Sequence, residues 1–381
     1  MLLSFALSYM NKLILFGYSV LCLLFVVFSY LFIDSGLSYL SILYTGFVSQ
    51  NRFITTVLFV LIIFLFFLLY AITLYLIKYE KIKRKELFLL IGVCAGVLFF
   101  SYPAILSFDI FNYIATAKVV YFYHENPYVV MPIEFLGDPL LLFMHASNKI
   151  ALYGPAWIGL SSIPHYLGFN NFLITLFSFK LFVALFYFGS IYFIFKISKS
   201  LTSVALFALN PLVLIETLVS SHNDIVMVFL ALVAFYFLFQ RKNLYALLFL
   251  ISSIFIKYAT VFLIPVFLYV VIQNHFNRKI QKEKVFIIAA CSMFVPFIFS
   301  FLREEIYPWY AIWFLIFACF IPQSRKVTLL LGSLSFGLML RYTPFMLIGT
   351  HFGNTPILKI LLASIPVGIV VGYLYFFKKN K

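Results

Sequence analysis

The chain has 381 residues, of which 65% are hydrophobic and only 10% are charged. Soluble domains average about 25% charged residues, so this composition excludes an ordinary soluble protein and indicates an integral membrane protein. A net charge of +15 would suggest nucleic-acid binding in a soluble protein, but in a membrane protein basic cytoplasmic connectors explain it better, and no nucleic-acid partner is expected.

Apolar runs of about twenty residues, the length that crosses a ~30 Å hydrocarbon core as a helix, recur along the whole chain. The first run ends in a poor cleavage site, so it is predicted to be a retained span. Twelve spans are predicted, near residues 13–33, 54–77, 87–107, 172–195, 201–220, 225–239, 244–256, 258–272, 285–302, 309–322, 327–348 and 357–377. The predicted fold class is an all-α polytopic membrane protein with about twelve transmembrane helices, in a single domain over residues 1–381.

Basic clusters in the short connectors indicate which side of the membrane each connector faces. They are residues 78–86, 196–200, 240–243, 277–284, 323–326 and 378–381. Cytoplasmic connectors are enriched in Lys and Arg, and alternation of the spans then places both termini in the cytoplasm of a plasma-membrane protein. The apolar run 244–272 has basic clusters at both ends, so it is predicted to form two short helices that meet at Lys257 near the outer face.

The long connector 108–171 follows the third predicted span and lies on the extracytoplasmic side. Residues 108–123 alternate polar and apolar residues at helical spacing, which predicts an amphipathic helix lying in the membrane interface. The turn signals "NPY" and "YGP" precede a second predicted interfacial helix through "WIGLSSIPHYLG". The four cysteines all lie within predicted spans, so no disulfide framework is expected.

Ionisable residues gather at the extracytoplasmic ends of the predicted spans. They are Asp109, Glu216, residues 221–224, Lys257, residues 303–310, Arg341 and His351. Charged groups at membrane depth cost several kcal/mol unless they are paired or hydrated, so they mark functional sites by default. Their shared side predicts a polar cavity that opens outward, although Glu304 and Glu305 are interpreted as solvated loop charges.

Asp109 has two interpretations that the residues alone leave open. It can act as a general base at the membrane surface, accepting a proton from a hydroxyl nucleophile. It can also stabilise the start of a helix whose N-cap is Ser107, through the positive end of the helix dipole. The two roles are compatible, because the dipole also helps to keep the carboxylate ionised.

The other candidate residues also have structural alternatives. Lys257 is predicted to bind an anionic phosphate in preference to snorkelling towards the headgroups, and Arg341 carries the same argument. His222 is a further candidate for the phosphate. Asn223 and Asp224 can either contact a sugar or cap the helix that follows them.

A second group of candidates consists of aromatic and polar residues that face the same predicted cavity. Tyr307, Trp309 and Tyr310 are interpreted as interfacial aromatics, with sugar stacking as the alternative. The remaining predicted substrate-binding residues are Asn112, Tyr113, Asn126, Tyr153 and Glu216. Lys180 lies inside the fourth predicted span, and Glu216 is one candidate partner for it.

Six strings occur in an order that resembles a known family. They are "SFDIFNYI", "ENPY", "LYGPAW", "ETLVSSHND", "FIKYATVFLIP" and "YPWYAIW", over about residues 101–315. With them the chain resembles GT-C superfamily glycosyltransferases. It is similar, more narrowly, to the polyprenyl-phosphate-mannose-dependent mannosyltransferases, the glycosyltransferase family 87 and alpha-1,6-mannosyltransferase group.

This resemblance implies an inverting transfer of a sugar, expected to be mannose, from a polyprenyl phosphate to a hydroxyl acceptor outside the cytoplasm. The acceptor would be a glycolipid, a glycan or a protein. Asp109 matches the family's catalytic aspartate in the first long outer loop, although in many GT-C enzymes that residue follows the first span and some branches have an acidic pair. Lys257, Arg341 and His222 would stabilise the leaving phosphate. No cofactor is required, and a divalent ion on the phosphate is compatible with the sequence.

Two other classes of protein share this topology. A lipid or solute transporter would fit twelve spans with buried charges, but transporters commonly show paired halves with broken helices at the midplane. A polysaccharide polymerase or ligase also has an outer loop, but would depend on Arg and His more than on a carboxylate. Replacement of Asp109 separates these classes, since a transporter would stay active without it.

Overall fold

The computed structural model describes residues 2–144, 146–302, 305–321 and 324–376. Within these ranges the chain is helical and contains no β-strand, which confirms the predicted all-α class. Glu304 and the basic tail 378–381, for which predictions were made above, lie outside the described residues.

The described chain forms a series of α-helices joined by short connectors. They are α1 (Leu2–Tyr30), α2 (Phe47–Gln50), α3 (Arg52–Lys78), α4 (Arg84–Leu98), α5 (Asp109–Tyr121), α6 (Pro155–Leu167), α7 (Phe172–Ser198), α8 (Leu201–Ala208), α9 (Pro211–Leu214), α10 (Asp224–Leu238), α11 (Asn243–Ile254), α12 (Ile264–His275), α13 (Lys282–Phe299), α14 (Ile312–Ala318), α15 (Arg325–Leu340), α16 (Thr343–Ile348) and α17 (Thr355–Phe376). The stretch Ile215–Val219 is a π-helical turn. Short 3₁₀ segments are Ser38–Leu43, Pro103–Ile105, Pro132–Glu134, Pro139–Phe143, Tyr258–Leu263, Ser300–Leu302 and Pro308–Ala311.

Seven of the described helical stretches are long and apolar enough to cross a membrane. They are Asn11–Tyr30, Arg52–Lys78, Phe172–Ser198, Tyr258–His275, Lys282–Leu302, Arg325–Ile348 and Thr355–Phe376. An eighth candidate is a broken span, in which α8 and Pro211–Val219 meet at an angle of 57°. With the shorter helices α4, α10, α11 and Pro308–Ala318, each of the twelve predicted spans coincides with a helical segment. The chain is therefore a polytopic helical membrane protein.

The centre of the bundle is α10, which packs against α7, α11 and α14. Its sequence is apolar on every side, a pattern typical of a helix that is buried all round, and most of its side chains are buried. The short helices α8 and α9 are buried with it. In contrast, α17 lies at the periphery, where Ile357 and Ile360 are exposed. The chain between α8 and α10 thus lies among the most deeply buried helices of the described residues.

The predicted pair of helices in the apolar run 244–272 is observed, since α11 ends shortly before Lys257 and a 3₁₀ helix begins after it. The long connector 108–171, called the outer loop after its predicted side, is attached here by backbone hydrogen bonds. The N–H groups of Gly154 and Ala156 donate to the carbonyls of Ile256 and Phe255, at 3.1 and 3.0 Å. A Cβ at Gly154 would lie 2.1 Å from the Phe255 oxygen, so only glycine allows this approach.

The outer loop contains the two predicted helices, α5 and α6. Most of α5 is buried, because α6 and α7 pack against it. The rings of Tyr153 and Trp157 contact the Tyr113 ring, with centroids 4.8 and 5.0 Å away. Tyr113 and Thr116, on the predicted polar face of α5, are therefore covered by protein.

The basic connectors 78–86, 196–200, 240–243 and 277–284 lie at the end of the bundle opposite to this loop. Arg84, at the start of α4, lies 4.5 Å from the ring centroid of Phe195 near the end of α7. Lys282, at the start of α13, lies 5.4 Å from the Phe239 ring just after α10. Because α5 follows the other end of α4, the basic residues and the outer loop are separated by the length of the helices. This arrangement agrees with the predicted alternation of the spans.

Lys180 and the four cysteines lie inside the predicted spans. Lys180 in α7 donates from Nζ to the carbonyl oxygen of Ser101 at 2.6 Å, and its ammonium lies 5.9 Å from the Phe99 ring centroid. The candidate partner Glu216 instead contacts His222 and Tyr342. All four cysteines are present as thiols, of which only Cys291 is exposed.

Candidate active site

Asp109 is the first residue of α5 and lies at the end of the bundle opposite to the basic connectors. Its backbone N–H donates to Ser107 Oγ at 3.2 Å, so Ser107 helps to start the helix. Its side chain is 27% exposed, and Oδ2 lies 3.4 Å from Nδ1 of His222. Asp109 thus keeps an accessible edge while its other side is held by a buried imidazole.

His222 lies between two carboxylates. Its second nitrogen, Nε2, is 3.3 Å from Oε2 of Glu216, and the other carboxylate oxygen of Glu216 accepts a hydrogen bond from Tyr342 OH at 2.7 Å. The imidazole is fully buried and stacks on the Trp309 ring, with centroids 4.0 Å apart. Asp109, His222, Glu216 and Tyr342 therefore form a continuous polar chain, which we call the Asp–His–Glu–Tyr chain.

The charges in this chain stabilise one another. Burial by itself raises the pKa of the Asp109 carboxyl, but His222, Lys257 and Asn112 act in the opposite direction and the net pKa is lowered. Burial lowers the pKa of His222, but the carboxylates of Asp109 and Glu216 outweigh it and raise the pKa to about 9. At neutral pH the arrangement is an ionised Asp109 beside a protonated His222.

The broken span and the turn after it position Glu216 and His222 so that the imidazole lies between Glu216 and Asp109. The side chain of Asn210 accepts from the N–H of Leu212 at 3.0 Å and donates to Ser335 Oγ at 2.9 Å, so it starts α9 and fixes the bend. The π-helical turn Ile215–Val219 follows, and Ser221 then adopts a left-handed backbone with φ of +58°. Turns of both kinds are concentrated at functional sites, because they cost energy and persist only where packing enforces them.

Asp224 and Lys257 form the second charged group of the site. Asp224 is the first residue of α10, and its Oδ2 lies 2.8 Å from Lys257 Nζ. Its Oδ1 accepts from Trp313 Nε1 at 2.5 Å, while Tyr310 presents its ring 5.4 Å from the lysine ammonium. The predicted phosphate-binding lysine is therefore present at the site and has its own counter-ion.

Asn223 connects α5 to the start of α10. Tyr113 OH donates to Asn223 Oδ1 at 3.3 Å and accepts from the Asn223 N–H at 3.3 Å. The structure shows no side-chain cap from Asn223 to α10, so the helix-capping alternative is wrong for this residue. The Asp224 carboxylate is likewise engaged by Lys257 and Trp313.

Aromatic rings cover one side of the site. Tyr307 stacks on Trp309 with centroids 4.4 Å apart and an interplanar angle of 13°, and Tyr310 stacks on Trp313 at 4.2 Å. Because Trp309 also stacks on His222, these rings belong to the site and are not merely interfacial aromatics. They offer flat faces of the kind on which a sugar ring can stack.

Several buried polar atoms here have no hydrogen-bond partner within the described residues. They are Asn112 Oδ1, Ser220 Oγ, Ser221 Oγ, Asn223 Nδ2 and Trp309 Nε1, together with Glu216 Oε2 and both His222 nitrogens, whose contacts at 3.3 and 3.4 Å are ion pairs without hydrogen-bond geometry. Buried polar atoms in native proteins are nearly always hydrogen-bonded, so such a group calls for ordered water or a polar ligand. The same part of the molecule holds Asp109 and His222.

Arg341 lies at the edge of the site with a carboxylate and a second cation. Its Nη2 is 3.2 Å from Glu305 Oε2, and Lys359 Nζ is 3.0 Å from Glu305 Oε1. The interpretation of Glu305 as a solvated loop charge is therefore wrong, since it forms two ion pairs. Asn126 lies elsewhere, in an exposed turn where its Oδ1 accepts from the N–H of Tyr128 at 3.0 Å.

The structure brings together most of the predicted site residues. The residues linked by the contacts above are Asp109, Asn112, Tyr113, Tyr153, Glu216, His222, Asn223, Asp224, Lys257, Tyr307, Trp309, Tyr310 and Arg341. Sequence reasoning missed Trp313, Tyr342 and Lys359. Trp313 is four residues after Trp309, so helical spacing placed both on one face, and Tyr342 directly follows Arg341. Lys359 is an isolated cation in an apolar span, the same signal that identified Lys257.

No group of three or more His, Cys, Asp or Glu side chains in the described ranges is arranged to hold a metal ion.

Comparison with known proteins gives one match. The family model of the alpha-(1->6)-mannopyranosyltransferase N-terminal domain matches residues 19–273, which include α5, the broken span and Lys257. Searches of curated proteins and of solved structures give no match. The matched segment is about two thirds of the chain and contains the motifs around Asp109 and His222. This chain is a membrane glycosyltransferase that belongs to the alpha-(1->6)-mannopyranosyltransferase family.

Proposed function

We propose that the protein transfers mannose from a polyprenyl-phosphate donor to a hydroxyl group of a glycan, glycolipid or protein acceptor, with inversion at the anomeric carbon. The observation that carries this proposal is the partly exposed carboxylate of Asp109, whose Oδ2 lies 3.4 Å from Nδ1 of the buried His222 imidazole. Asp109 acts as the general base, and the reaction takes place on the extracytoplasmic side.

The chemical step needs one proton acceptor and one stabilised leaving group. The acceptor oxygen attacks C1 of the sugar in line with the phosphate, and its proton passes to the Asp109 carboxylate. The C1–O bond to the phosphate breaks, its electron pair stays on the phosphate oxygen, and polyprenyl phosphate is released. A lowered pKa keeps Asp109 ionised at neutral pH and ready to accept that proton.

His222 acts through Asp109. The sequence predicted contact between His222 and the donor phosphate, but both imidazole nitrogens face carboxylates and the ring is buried. This geometry favours a positioning role, in which Glu216 and Tyr342 fix the imidazole and the imidazole fixes Asp109. A fixed carboxylate meets the hydroxyl with less reorganisation when the reaction begins.

Lys257 and Arg341 supply positive charge for the leaving phosphate, whose negative charge grows as the glycosidic bond breaks. The aromatic faces of Tyr307, Trp309 and Tyr310 are suited to the sugar ring. The buried unpaired atoms Asn223 Nδ2 and Trp309 Nε1 offer donors for sugar hydroxyls or for water that bridges to them.

The extracytoplasmic location is supported by charge distribution. The basic connectors 78–86, 196–200, 240–243 and 277–284 lie at the end opposite to the site, and cytoplasmic loops are the ones that carry excess Lys and Arg. A lipid-linked donor also suits a compartment without nucleotide sugars. Labelling of a cysteine introduced at position 224 from the cytoplasm would contradict this orientation.

The test is a release assay with the purified full chain in lipid. Wild type and the Asp109→Asn variant are each given a panel of polyprenyl-phosphate sugars with crude lipid acceptors, and released polyprenyl phosphate is measured by mass spectrometry. Release by wild type from the mannose donor, and its loss in the variant, is the expected result. Asp34→Asn is the matched control, because this exposed aspartate lies away from the Asp–His–Glu–Tyr chain.

The other outcomes separate the competing functions. Equal release by wild type and Asp109→Asn would keep the transferase and reduce Asp109 to a helix-start residue. An absence of release with every donor would refute the proposed activity and favour the transporter or the polymerase. Release from a different sugar donor would retain the mechanism and reject mannose.

A further inference from the structure

Glu305, Arg341 and Lys359 form a charged cluster, which we call the Glu305 cluster, at the edge of the site. Lys359 Nζ lies 3.0 and 3.1 Å from the two oxygens of Glu305, and Arg341 Nη2 is 3.2 Å from one of them. The cation side chains are only 8% and 11% exposed, whereas Glu305 is 34% exposed. Two nearly buried cations thus share one partly exposed carboxylate.

The charge balance of this cluster differs from that of the other cations at the site. Lys257 has its own buried counter-ion in Asp224, and His222 faces two carboxylates. Among the residues that the structure describes, the Glu305 cluster instead carries a net charge of +1, from two cations and one carboxylate. Buried charge that lacks a full complement of counter-ions is costly, so this is the place where a second anion is best accommodated.

The position of the cluster ties it to the proposed reaction. Arg341 immediately precedes Tyr342, the last member of the Asp–His–Glu–Tyr chain. Glu305 lies four residues before Trp309, which stacks on His222. An anion held by Arg341 and Lys359 is therefore bound by the same segments that hold the catalytic residues.

The cluster also adjoins the lipid-facing surface of the bundle. Lys359 lies on α17, a peripheral helix whose side chains Ile357, Ile360 and Leu361 are exposed. An apolar tail attached to an anion at Lys359 would have this helix beside it. This favours a phosphate that carries a long hydrocarbon chain over a free inorganic phosphate.

We infer that Arg341 and Lys359 together bind the phosphate of the lipid-linked donor, and that Glu305 occupies their binding site until the phosphate displaces it. The inference rests on the proposed function, because it assigns the position of the donor in that reaction. It adds Lys359 as a donor-binding residue and gives Glu305 the role of a resident counter-ion. Lys257 then remains paired with Asp224. It stabilises the phosphate through long-range electrostatic attraction and makes no hydrogen bond to it.

The first test is equilibrium binding of farnesyl phosphate, a short polyprenyl phosphate, to the purified full chain in nanodiscs. Lys359→Met removes one charge-assisted bond, and we expect affinity to fall roughly ten- to a hundredfold. Glu305→Gln removes the competing carboxylate, and we expect affinity to rise roughly two- to fivefold. Opposite effects of two changes in one cluster cannot come from misfolding, which weakens binding in both.

The matched control is Arg325→Met. Arg325 lies on α15 and bonds to Tyr373 on α17 at 3.0 Å, so it joins the same two helices at their other ends. Its loss is expected to leave farnesyl phosphate binding unchanged. Farnesol and inorganic phosphate are tested alongside, and both are expected to bind at least tenfold more weakly than farnesyl phosphate, since each keeps only one of the two recognised parts.

Binding and turnover separate this inference from the proposed function. Asp109→Asn should bind farnesyl phosphate as wild type does while losing sugar transfer. Unchanged binding in Lys359→Met, or equal affinity for inorganic phosphate, would overturn the inference and leave the transferase intact if wild type still releases polyprenyl phosphate. Wild type that binds no farnesyl phosphate would overturn the inference, and the release assay would then decide the proposed function independently.

Discussion

Asp109 and Asp224 occupy the same local position, the first residue of a helix, and yet their surroundings differ. Asp224 is fully buried, and its two oxygens are bonded to Lys257 and Trp313. Asp109 keeps 27% of its side chain exposed and has His222 behind it. An aspartate with both oxygens bonded holds helices together, whereas one with an accessible edge can exchange a proton with a substrate.

The largest expected effect is on catalysis at Asp109. Asp109→Asn removes the proton acceptor while keeping the shape of the side chain, and we expect sugar transfer to fall roughly 10²- to 10⁴-fold. The apparent melting temperature should fall less than in Asp224→Asn, because Asp109 is partly exposed and His222 keeps Glu216 as a second carboxylate. If the transfer rate of Asp109→Asn stayed within tenfold of the wild-type rate, Asp109 would not be the general base.

Asp224→Asn is expected to act mainly on stability. The change leaves Lys257 in a partly buried site without its carboxylate, at a cost of about 2 kcal/mol or more. The measurement is the apparent melting temperature in detergent, with Asp34→Asn as the exposed control. If Asp224→Asn were as stable as wild type but as inactive as Asp109→Asn, the two aspartates would share one role.

Tyr342→Phe sharpens the comparison from the far end of the Asp–His–Glu–Tyr chain. It removes the hydroxyl that donates to Glu216 at 2.7 Å and leaves a buried carboxylate oxygen unbonded, which costs about 1–3 kcal/mol. Because Tyr342 acts through Glu216 and His222, we expect activity to fall less than in Asp109→Asn. Donor affinity should change little, and a binding assay with farnesyl phosphate checks this.

The smallest effect is a pH dependence of stability. The pKa of His222 is raised from 6.5 to about 9, so the stabilisation by its charge is complete below about pH 6.5 and is lost as the pH rises through about 9. Glu216→Gln removes one of the carboxylates that raise this pKa, and the loss should then occur at lower pH. Melting temperatures between pH 6 and pH 10 test this, and His222→Gln should abolish the difference.

Most of the fold follows from hydrophobic length and charge distribution. Each predicted span coincides with one or more helical segments, and the division of the run 244–272 at Lys257 came from the basic clusters alone. The burial of α5 did not follow from its sequence, because helical periodicity shows a polar face without showing what covers it. Tyr153 and Trp157, which cover Tyr113, are distant in sequence.

The sequence predicted which residues belong to the site, but it did not predict which of them contact one another. Asp224 and Lys257 were both singled out, yet nothing in a single sequence joins residues 33 positions apart into an ion pair. Trp313 and Tyr342 resemble packing residues until their polar atoms are seen to bond to carboxylates. Glu305 was misjudged because its cations, Arg341 and Lys359, come from two later helices.

The π-helical turn Ile215–Val219 sets the rotational position of everything that follows it. The N–H of Ser220 bonds to the carbonyl of Ile215, five residues back, at 3.0 Å, so this turn contains one residue more than an α-helical turn. One residue corresponds to about 100° of rotation in a helix. Deleting a single residue here would turn His222 away from Asp109 while leaving the apolar character of the span intact. The additional residue of the π-helical turn therefore directs the His222 side chain towards Asp109 without changing the apolar composition of the span.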